Sequence, residues 1–200
     1  MNIKDSNIAI VHDWFLEKSF GGSEKVTLTL NNFLNKSYST PDIFSLTSNI
    51  QNSKRNTFLR RKIQTSFIQS LPFGRTNVQS YLPFLPYAIE QLDLRKYDLI
   101  ISSSHAFAKG IVTSPDQLHI SYVHTPMRYA WDQMHTYLEK SILSKLGFEF
   151  PIRLMLYKLR EWDFYSSQRL DYIISNSNFT SKRIKKYWGL ESEVIHPPVD

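Results

Sequence analysis

The feature that most constrains the fold of this chain is a series of short apolar runs that recur along its length. Most of these runs are near-continuous rather than alternating, which is typical of strands buried on both faces of a parallel sheet. Helical patterns lie between them, so we expect an α/β fold: a Rossmann-like, doubly wound, mainly parallel sheet with helices on both faces. The runs are "NIAIVHDW", "DIFSLT", "YDLIISSS", "HISYVH", "DYIISNS" and "SEVIHPPV".

Three helices can be placed from capping residues and apolar spacing. Ser23, which follows Gly21 and Gly22, can cap the first, and Ser177 or Asn178 can cap the third. The segment from Gln51 to Gln91 is less regular and is interpreted as a partly helical excursion from the sheet. The apolar stripes of the three helices are Val26, Leu30, Phe33 and Leu34; Ile152, Met155, Leu156, Leu159 and Trp162; and Ile184, Tyr187 and Trp188.

Length and composition indicate a globular chain that can bury a core without disulfides. We treat residues 1–200 as one domain. The absence of cysteine excludes structural disulfides and Cys-ligated zinc, and it fits a reducing compartment. The amino terminus has no secretory pattern and no apolar window is long enough to span a membrane, so we expect a cytoplasmic protein.

The net charge of +6 predicts attraction to anions such as nucleic acid, an acidic membrane surface or a phosphorylated ligand. The basic residues form two clusters, which can equally be solvated surfaces without an anionic partner, and this alternative stays open. No helix-turn-helix, zinc-finger or RNP pattern is present, so nucleic acid is not expected as a partner. The clusters are Lys54, Arg55, Arg60, Arg61 and Lys62, and Lys182, Arg183, Lys185 and Lys186.

Polar or small residues follow four of the expected strands. In open α/β sheets, ligands bind beyond the carboxyl ends of the strands, so these residues are the first candidates for a site. They are His12-Asp13-Trp14, Ser103-Ser104-His105, His124-Thr125-Pro126 and Asn176-Ser177-Asn178.

The sequence lacks several short catalytic motifs, and their absence excludes the corresponding classes of site. Gly21-Gly22 before a helix could let the backbone approach a phosphate, although many helices follow glycine only for the turn. The dinucleotide fingerprint, the P-loop and the hydrolase nucleophile motif are all absent. Neither a zinc-type histidine pair nor a D-x-D pair occurs, so we expect no metal and no cofactor.

His124 is the most informative single residue, because Pro126 keeps Thr125 out of helical geometry at the strand end. Its imidazole could bond a hydroxylated ligand, or it could be satisfied by a backbone carbonyl. A cluster of charged and aromatic residues follows, namely Arg128, Tyr129, Trp131 and Asp132. It could be an ordinary ion pair beside aromatic side chains, or it could line a sugar-binding cleft.

Taken together, the motifs resemble the amino-terminal domain of the family-four retaining glycosyltransferases of GT-B architecture. The match is closest to bacterial mannosyltransferases of the WbaZ type, which build O-antigen and exopolysaccharide. It covers nearly the whole chain. The motifs that carry it are "IAIVHDWFLEKSFGGSEKV", "YDLIISSSHAFAKGIV", "HISYVHTPMRYAWD", "DYIISNSNFTSKRIKKYWG" and "VIHPPVD".

This resemblance implies transfer of a sugar, mannose in the nearest relatives, from a nucleotide-sugar donor such as GDP-mannose. The acceptor would be a glycan or a polyprenyl-diphosphate-linked sugar at the inner face of the cytoplasmic membrane. His124 would contact the transferred sugar as the catalytic residue, and Gly21 and Gly22 would approach the donor diphosphate. The residues implied on the acceptor side are His12, Asp13, His105, Lys109, Arg128, Tyr129 and Asp132.

The resemblance also implies a donor-binding domain, with a basic pair and an E-x7-E signature, after "VIHPPVD". The sequence ends at Asp200, so we expect this chain to lack that domain and to have little transferase activity by itself. The alternative is a non-catalytic binding or scaffold module derived from such an enzyme. Weak peripheral membrane contact is expected from Arg60 to Lys62 and the aromatic side chains of Phe67, Phe73, Tyr81 and Phe84.

Overall fold

The computed structural model of the chain describes residues 6–50, 62–141 and 144–198. Within them, seven strands form one sheet in the order β3-β2-β1-β4-β5-β6-β7, and every neighbouring pair is parallel. This confirms the Rossmann-like α/β fold. The strands are β1 (Ile8–His12), β2 (Asp42–Ser45), β3 (Gln64–Thr65), β4 (Leu99–Ser104), β5 (Leu118–Val123), β6 (Tyr172–Ser175) and β7 (Glu193–Val194).

Helices cover both faces of the sheet. On one face, Ile8 and Ile10 of β1 pack with Leu34 of the first helix. On the other face, Ala9 and Val11 join the largest apolar cluster, to which the second and fourth helices contribute. The helices are α1 (Gly22–Ser37), α2 (Leu85–Glu90), α3 (Met134–Lys140), α4 (Glu149–Ser167) and α5 (Asn178–Trp188).

The central strands are buried because both of their faces are covered. All five residues of β1 and all six residues of β4 are buried, as the continuous apolar runs predict. The chain leaves β1 toward β2 and β3 on one side and continues from β4 toward β7 on the other. The gap between the ends of β1 and β4 is therefore the switch point at which such sheets bind ligands.

Two helix details differ from the sequence prediction. Helix α1 begins at Gly22 with Gly21 as its N-cap, so Ser23 is not the cap; the side chain of Glu24 accepts the N–H of Gly21 instead. Phe33 is exposed and packs edge-on against Tyr38 rather than facing the core. The N-cap of α5 is confirmed, since the hydroxyl of Ser177 accepts the N–H of Thr180.

The predicted excursion is partly helical and exposes aromatic surface. Its described part contains β3, α2 and two short 3-10 helices, Phe67–Ser70 and Val78–Phe84. Phe67, Phe73 and Phe84 are exposed, whereas Tyr81 is only partly exposed and donates to the carbonyl of Pro72. Of the first basic cluster, only Lys62 lies within the described residues.

Candidate functional site

A cleft of about 920 Å³ opens where the strands end. Residues just beyond the ends of β1, β4, β5 and β6 line it, namely Trp14, His105, His124 and Asn176. Gly22 at the start of α1 lines the same cleft, so the two features that the sequence analysis singled out most strongly lie in one concavity. The rule for ligands at the carboxyl ends of strands thus predicts the position of the cleft.

His124 is held from several sides. Its backbone N–H donates to the carbonyl of Ser104 over 2.8 Å, and its carbonyl accepts the hydroxyl of Thr180 over 3.1 Å. The hydroxyl oxygen of Ser103 lies 2.9 Å from Nε2 of the ring. Burial, aided by His12 and His105, lowers the pKa of His124 to about 3, so the imidazole is neutral near pH 7.

Gly22 leaves open space at the start of α1. A Cβ at this position would meet no heavy atom within 4 Å, so a ligand can approach the backbone there. The N–H of Gly21, by contrast, is already donated to Oε2 of Glu24 over 2.9 Å, and Gly21 does not line the cleft. In this geometry Gly22, and not Gly21, leaves its backbone open to the cleft.

Glu24 is a cleft residue for which the sequence analysis predicted no role. Its carboxylate accepts Gly21 N–H and the hydroxyl of Ser23, each over 2.9 Å, and Oε1 lies 3.9 Å from Nε2 of His12. Burial opposes ionisation, but His12 and the Gly21 N–H outweigh it and lower the pKa of Glu24 to about 2. The role of Glu24 could have been predicted from the motif "GGSE", because a glutamate at this position can accept the backbone N–H that precedes a helix.

His12 does not face the cleft, although it was predicted on the acceptor side. Its side chain is fully buried, Nδ1 donates to the carbonyl of Ser103 over 2.9 Å, and Nε2 points toward Glu24. The last residue of β1 is covered by α1, which is why the ring is inside. His12 therefore lies beneath the start of α1, next to Glu24, and not on the cleft surface.

Asp13 is also interior, which corrects its predicted position on the acceptor side. Its carboxylate accepts the consecutive backbone N–H groups of residues 105 to 108, those of His105 and Ala108 over 2.6 and 2.9 Å. Burial alone would raise the pKa of Asp13, but His105, His12 and these N–H groups lower it below its ordinary value. The side chain fixes the turn after β4.

That turn carries His105, which does line the cleft. Its Nδ1 lies 3.1 Å from Oδ2 of Asp13, and its side chain is 25% exposed. The ring packs edge-on against Trp14 with 4.6 Å between centroids. Burial lowers the pKa of His105, with the charge of Asp13 opposing, so this second imidazole is neutral as well.

Lys109 is buried and does not line the cleft, contrary to the acceptor-side prediction. Its ammonium lies 2.9 Å from Oδ1 of Asp163 in α4 and donates to the hydroxyl of Ser166 over 2.7 Å. The other oxygen of Asp163 accepts the indole N–H groups of Trp131 and Trp188, each over 2.7 Å. Burial lowers the pKa of Lys109, with Asp163 opposing. The pair joins the segment after β4 to α4, and the bond from Trp188 to Asp163 links α4 to α5.

The cluster after β5 divides between two roles. Arg128 and Tyr129 line the cleft. Burial, together with the charges of Asp13 and Asp163, raises the pKa of Tyr129 well above its ordinary value, so it stays a neutral hydroxyl. Asp132 does not line the cleft; it pairs with the guanidinium of Arg183, which is buried rather than solvated.

Sequence reasoning also missed the amide-rich wall of the cleft. Asn49 follows β2, while Asn77 and Gln79 come from the excursion. No motif marks these residues, and the excursion is too irregular for periodicity to place them. The lining therefore combines neutral imidazoles, amides, hydroxyls and aromatic rings with the charges of Lys18, Glu24 and Arg128.

The family model described as Glycosyltransferase Family 4 matches residues 20–200 of the sequence. The chain belongs to Glycosyltransferase Family 4. No curated protein matches the chain significantly.

A solved structure similar to this Family 4 chain is titled "lipopolysaccharide outer core galactosyltransferase WaaB apo form". The sequence identity is 15% and the TM-score is 0.44. The match covers 97% of this chain and 46% of that one, so this chain spans less than half the length of that relative.

No helix in the described parts of the chain is long and apolar enough to cross a membrane. Among residues 6–50, 62–141 and 144–198, no group of three or more His, Cys, Asp and Glu side chains could hold a metal ion. The expectation of metal-independent chemistry stays a prediction.

Proposed function

We propose that this chain forms the acceptor-side wall of a retaining sugar-transfer site. The observation that carries the proposal is that Gly22 and His124 line one cleft at the strand ends. In the proposed arrangement the backbone at Gly22 approaches the donor diphosphate. The ring of His124 contacts the transferred sugar, while His105, Arg128 and Tyr129 contact the acceptor.

The substrates proposed are a mannosyl donor such as GDP-mannose and a glycan or polyprenyl-diphosphate-linked acceptor, without a metal. The motifs that resemble bacterial mannosyltransferases support this choice. A lining of amides, hydroxyls and aromatic rings suits a polyol, because each hydroxyl can both donate and accept while the rings cover C–H faces. Arg128 suits a phosphate on either substrate.

A transfer assay with the full-length protein tests this function. Radiolabelled mannose from GDP-mannose is followed into glycolipid for the native protein and for His124→Ala. We expect kcat to fall about 100-fold or more, since a positioned donor in a water-poor cleft typically contributes that much. His135→Ala is the matched control, because His135 is an exposed histidine of α3 outside the cleft. Unchanged transfer by His124→Ala would contradict the site, and transfer of another sugar alone would contradict only the choice of mannose.

We further propose that residues 1–200 do not transfer sugar by themselves. By the family resemblance, the groups that neutralise the departing nucleotide belong to a second domain, and this neutralisation is commonly a large catalytic contribution. Mixing the chain with a separately expressed donor-binding domain should restore transfer. Measurable turnover by residues 1–200 alone would refute the proposal that transfer needs the second domain.

Peripheral membrane contact through the excursion, at the cytoplasmic face, remains part of the proposal. It is supported by the exposed rings of Phe67, Phe73 and Phe84. Sedimentation with vesicles rich in anionic lipid at low salt tests it. The triple replacement of these rings by serine should abolish co-sedimentation, and the native protein remaining in the supernatant would exclude the contact.

A further inference from the structure

Ser103 is the only described residue whose side chain bonds the ring of His124. Its hydroxyl oxygen lies 2.9 Å from Nε2, while Nδ1 makes no hydrogen bond with any described residue. Since the ring lines the cleft, Nδ1 is the nitrogen that a ligand can reach. Which nitrogen carries the proton therefore decides what the cleft offers to a ligand.

The hydroxyl proton of Ser103 settles that question. Ser103 is buried, and among the described residues its hydroxyl has no hydrogen-bond partner besides His124. If Nε2 carried the proton and donated it to Ser103, the hydroxyl proton would have no acceptor, which is costly inside a protein. If the hydroxyl donates to Nε2, the buried hydroxyl proton has its acceptor, and the ring proton lies on Nδ1, where a ligand in the cleft can accept it.

We propose that Ser103 is a positioning residue that holds His124 as the Nδ1–H tautomer, so that the ring presents a hydrogen-bond donor to the cleft. This rests on the proposed function only for the identity of the ligand. The group of the ligand next to His124 must then be an oxygen that accepts, such as a sugar hydroxyl or ring oxygen. His124 does not act as a general base through Nδ1, because that nitrogen has no free lone pair.

The frame around Ser103 favours a fixed geometry. Its carbonyl accepts Nδ1–H of His12 over 2.9 Å, and Oε1 of Glu24 lies 3.9 Å from the other nitrogen of His12. A continuous polar path thus runs from the start of α1 through β1 and β4 to His124. The start of α1 and His124 both line the cleft, so a change at Ser103 should alter ligand binding although Ser103 itself does not contact the ligand.

A neighbouring pair gives the opposite expectation and serves as an internal reference. Oγ of Ser102 lies 2.9 Å from Nε2 of His119, the same distance, but the Ser102 hydroxyl donates to Ser121 over 2.9 Å. Nδ1 of His119, moreover, is buried without a hydrogen-bond partner, so the ring proton is better placed on Nε2, from which it is donated to Ser102. Two buried serine–histidine pairs on adjacent strands are thus expected to hold opposite tautomers for one physical reason.

Long-range proton–nitrogen correlation NMR on this chain, at pH 7 and without substrate, tests the proposal. We expect a protonated, pyrrole-type nitrogen at Nδ1 of His124 and at Nε2 of His119. Ser103→Ala should move His124 toward the Nε2–H form that free imidazole side chains prefer. Ser103→Thr should keep Nδ1–H, and Ser102→Ala, the matched control, should leave His124 unchanged.

An Nε2–H signal for His124 in the native chain would overturn the proposal even if no variant folded. The same tautomer in both histidines, or an unchanged His124 in Ser103→Ala, would overturn it as well. Because this measurement uses no sugar, its failure is separate from failure of the transfer assay. In the full-length protein, Ser103→Ala should lower kcat while Ser103→Thr restores it.

Discussion

Acidification from pH 7 to pH 5 should destabilise this protein strongly, because His119 and His124 are buried as neutral rings. Burial lowers the pKa of each to about 3 from the ordinary value of 6.5. At pH 5 the unfolded chain binds a proton at both positions while the folded chain does not. Stability is therefore present above pH 6.5 and is lost as pH falls toward 3.

The magnitude follows from the linkage relation. Between pH 7 and pH 5, each ring lowers the free energy of unfolding by about 2 kcal/mol, or about 4 kcal/mol together. A folded pKa of 4 instead of 3 would change each value by less than about 0.1 kcal/mol at pH 5. The lowered pKa values of Asp13 and Glu24 act mainly below pH 5, because the ordinary values of these carboxyl groups are 3.8 and 4.5.

Urea unfolding followed by tryptophan fluorescence at pH 7 and pH 5, at matched ionic strength, measures this loss. His119→Gln should reduce the loss by about 2 kcal/mol. His135→Gln is the control and should reproduce the native pH dependence, since His135 is exposed. A native loss below about 1 kcal/mol, or an equal loss in His119→Gln, would refute the reasoning that these rings are held neutral.

Three further predictions concern the support of the cleft. Asp13→Asn should destabilise the fold by about 3 kcal/mol or more, since its amide group cannot accept four N–H groups, and urea unfolding with amide exchange at residues 105–108 measures this. Lys109→Met should cost about 3–5 kcal/mol because Asp163 loses its buried ionic partner. The double variant with Asp163→Asn should be more stable than Lys109→Met in the same assay, because the neutral amide oxygen still accepts the two indole N–H groups. Gly22→Leu should leave stability within about 1 kcal/mol but abolish transfer by the full-length protein, because the new side chain enters the open cleft.

Most of the sheet could be predicted because its signal is local. A strand covered on both faces needs a continuous apolar run, and β1 and β4 have one. Strand β3 was missed, since it consists only of Gln64 and Thr65 and is specified by its neighbour β2 rather than by its own residues. Phe33 fits the apolar spacing of α1, yet the inward face of that helix is partly polar, with Glu24 and Thr27 buried.

The candidate site could be located from sequence but not divided into surface and support. Strand-end position predicts that His12, Asp13, His105 and His124 lie near one edge of the sheet. Whether a side chain there points outward or inward depends on partners that are distant in sequence. Asp13 is buried by backbone N–H groups more than ninety residues away, and Lys109 by an aspartate 54 residues beyond it. Such contacts leave no periodic pattern.

The charged residues in and near the cleft differ in whether they are held by local partners. Asp13 is enclosed, Asp132 is paired with Arg183, and the carboxylate of Glu24 is held by the start of α1. Arg128 lines the cleft and forms no ion pair within the described part of the chain. The field at the opening is therefore set by cations and helix starts, while the interior carboxylates are neutralised locally. A ligand that combines a neutral polyol with a phosphate suits such a surface, which supports the sugar-transfer proposal over a scaffold that needs no such asymmetry.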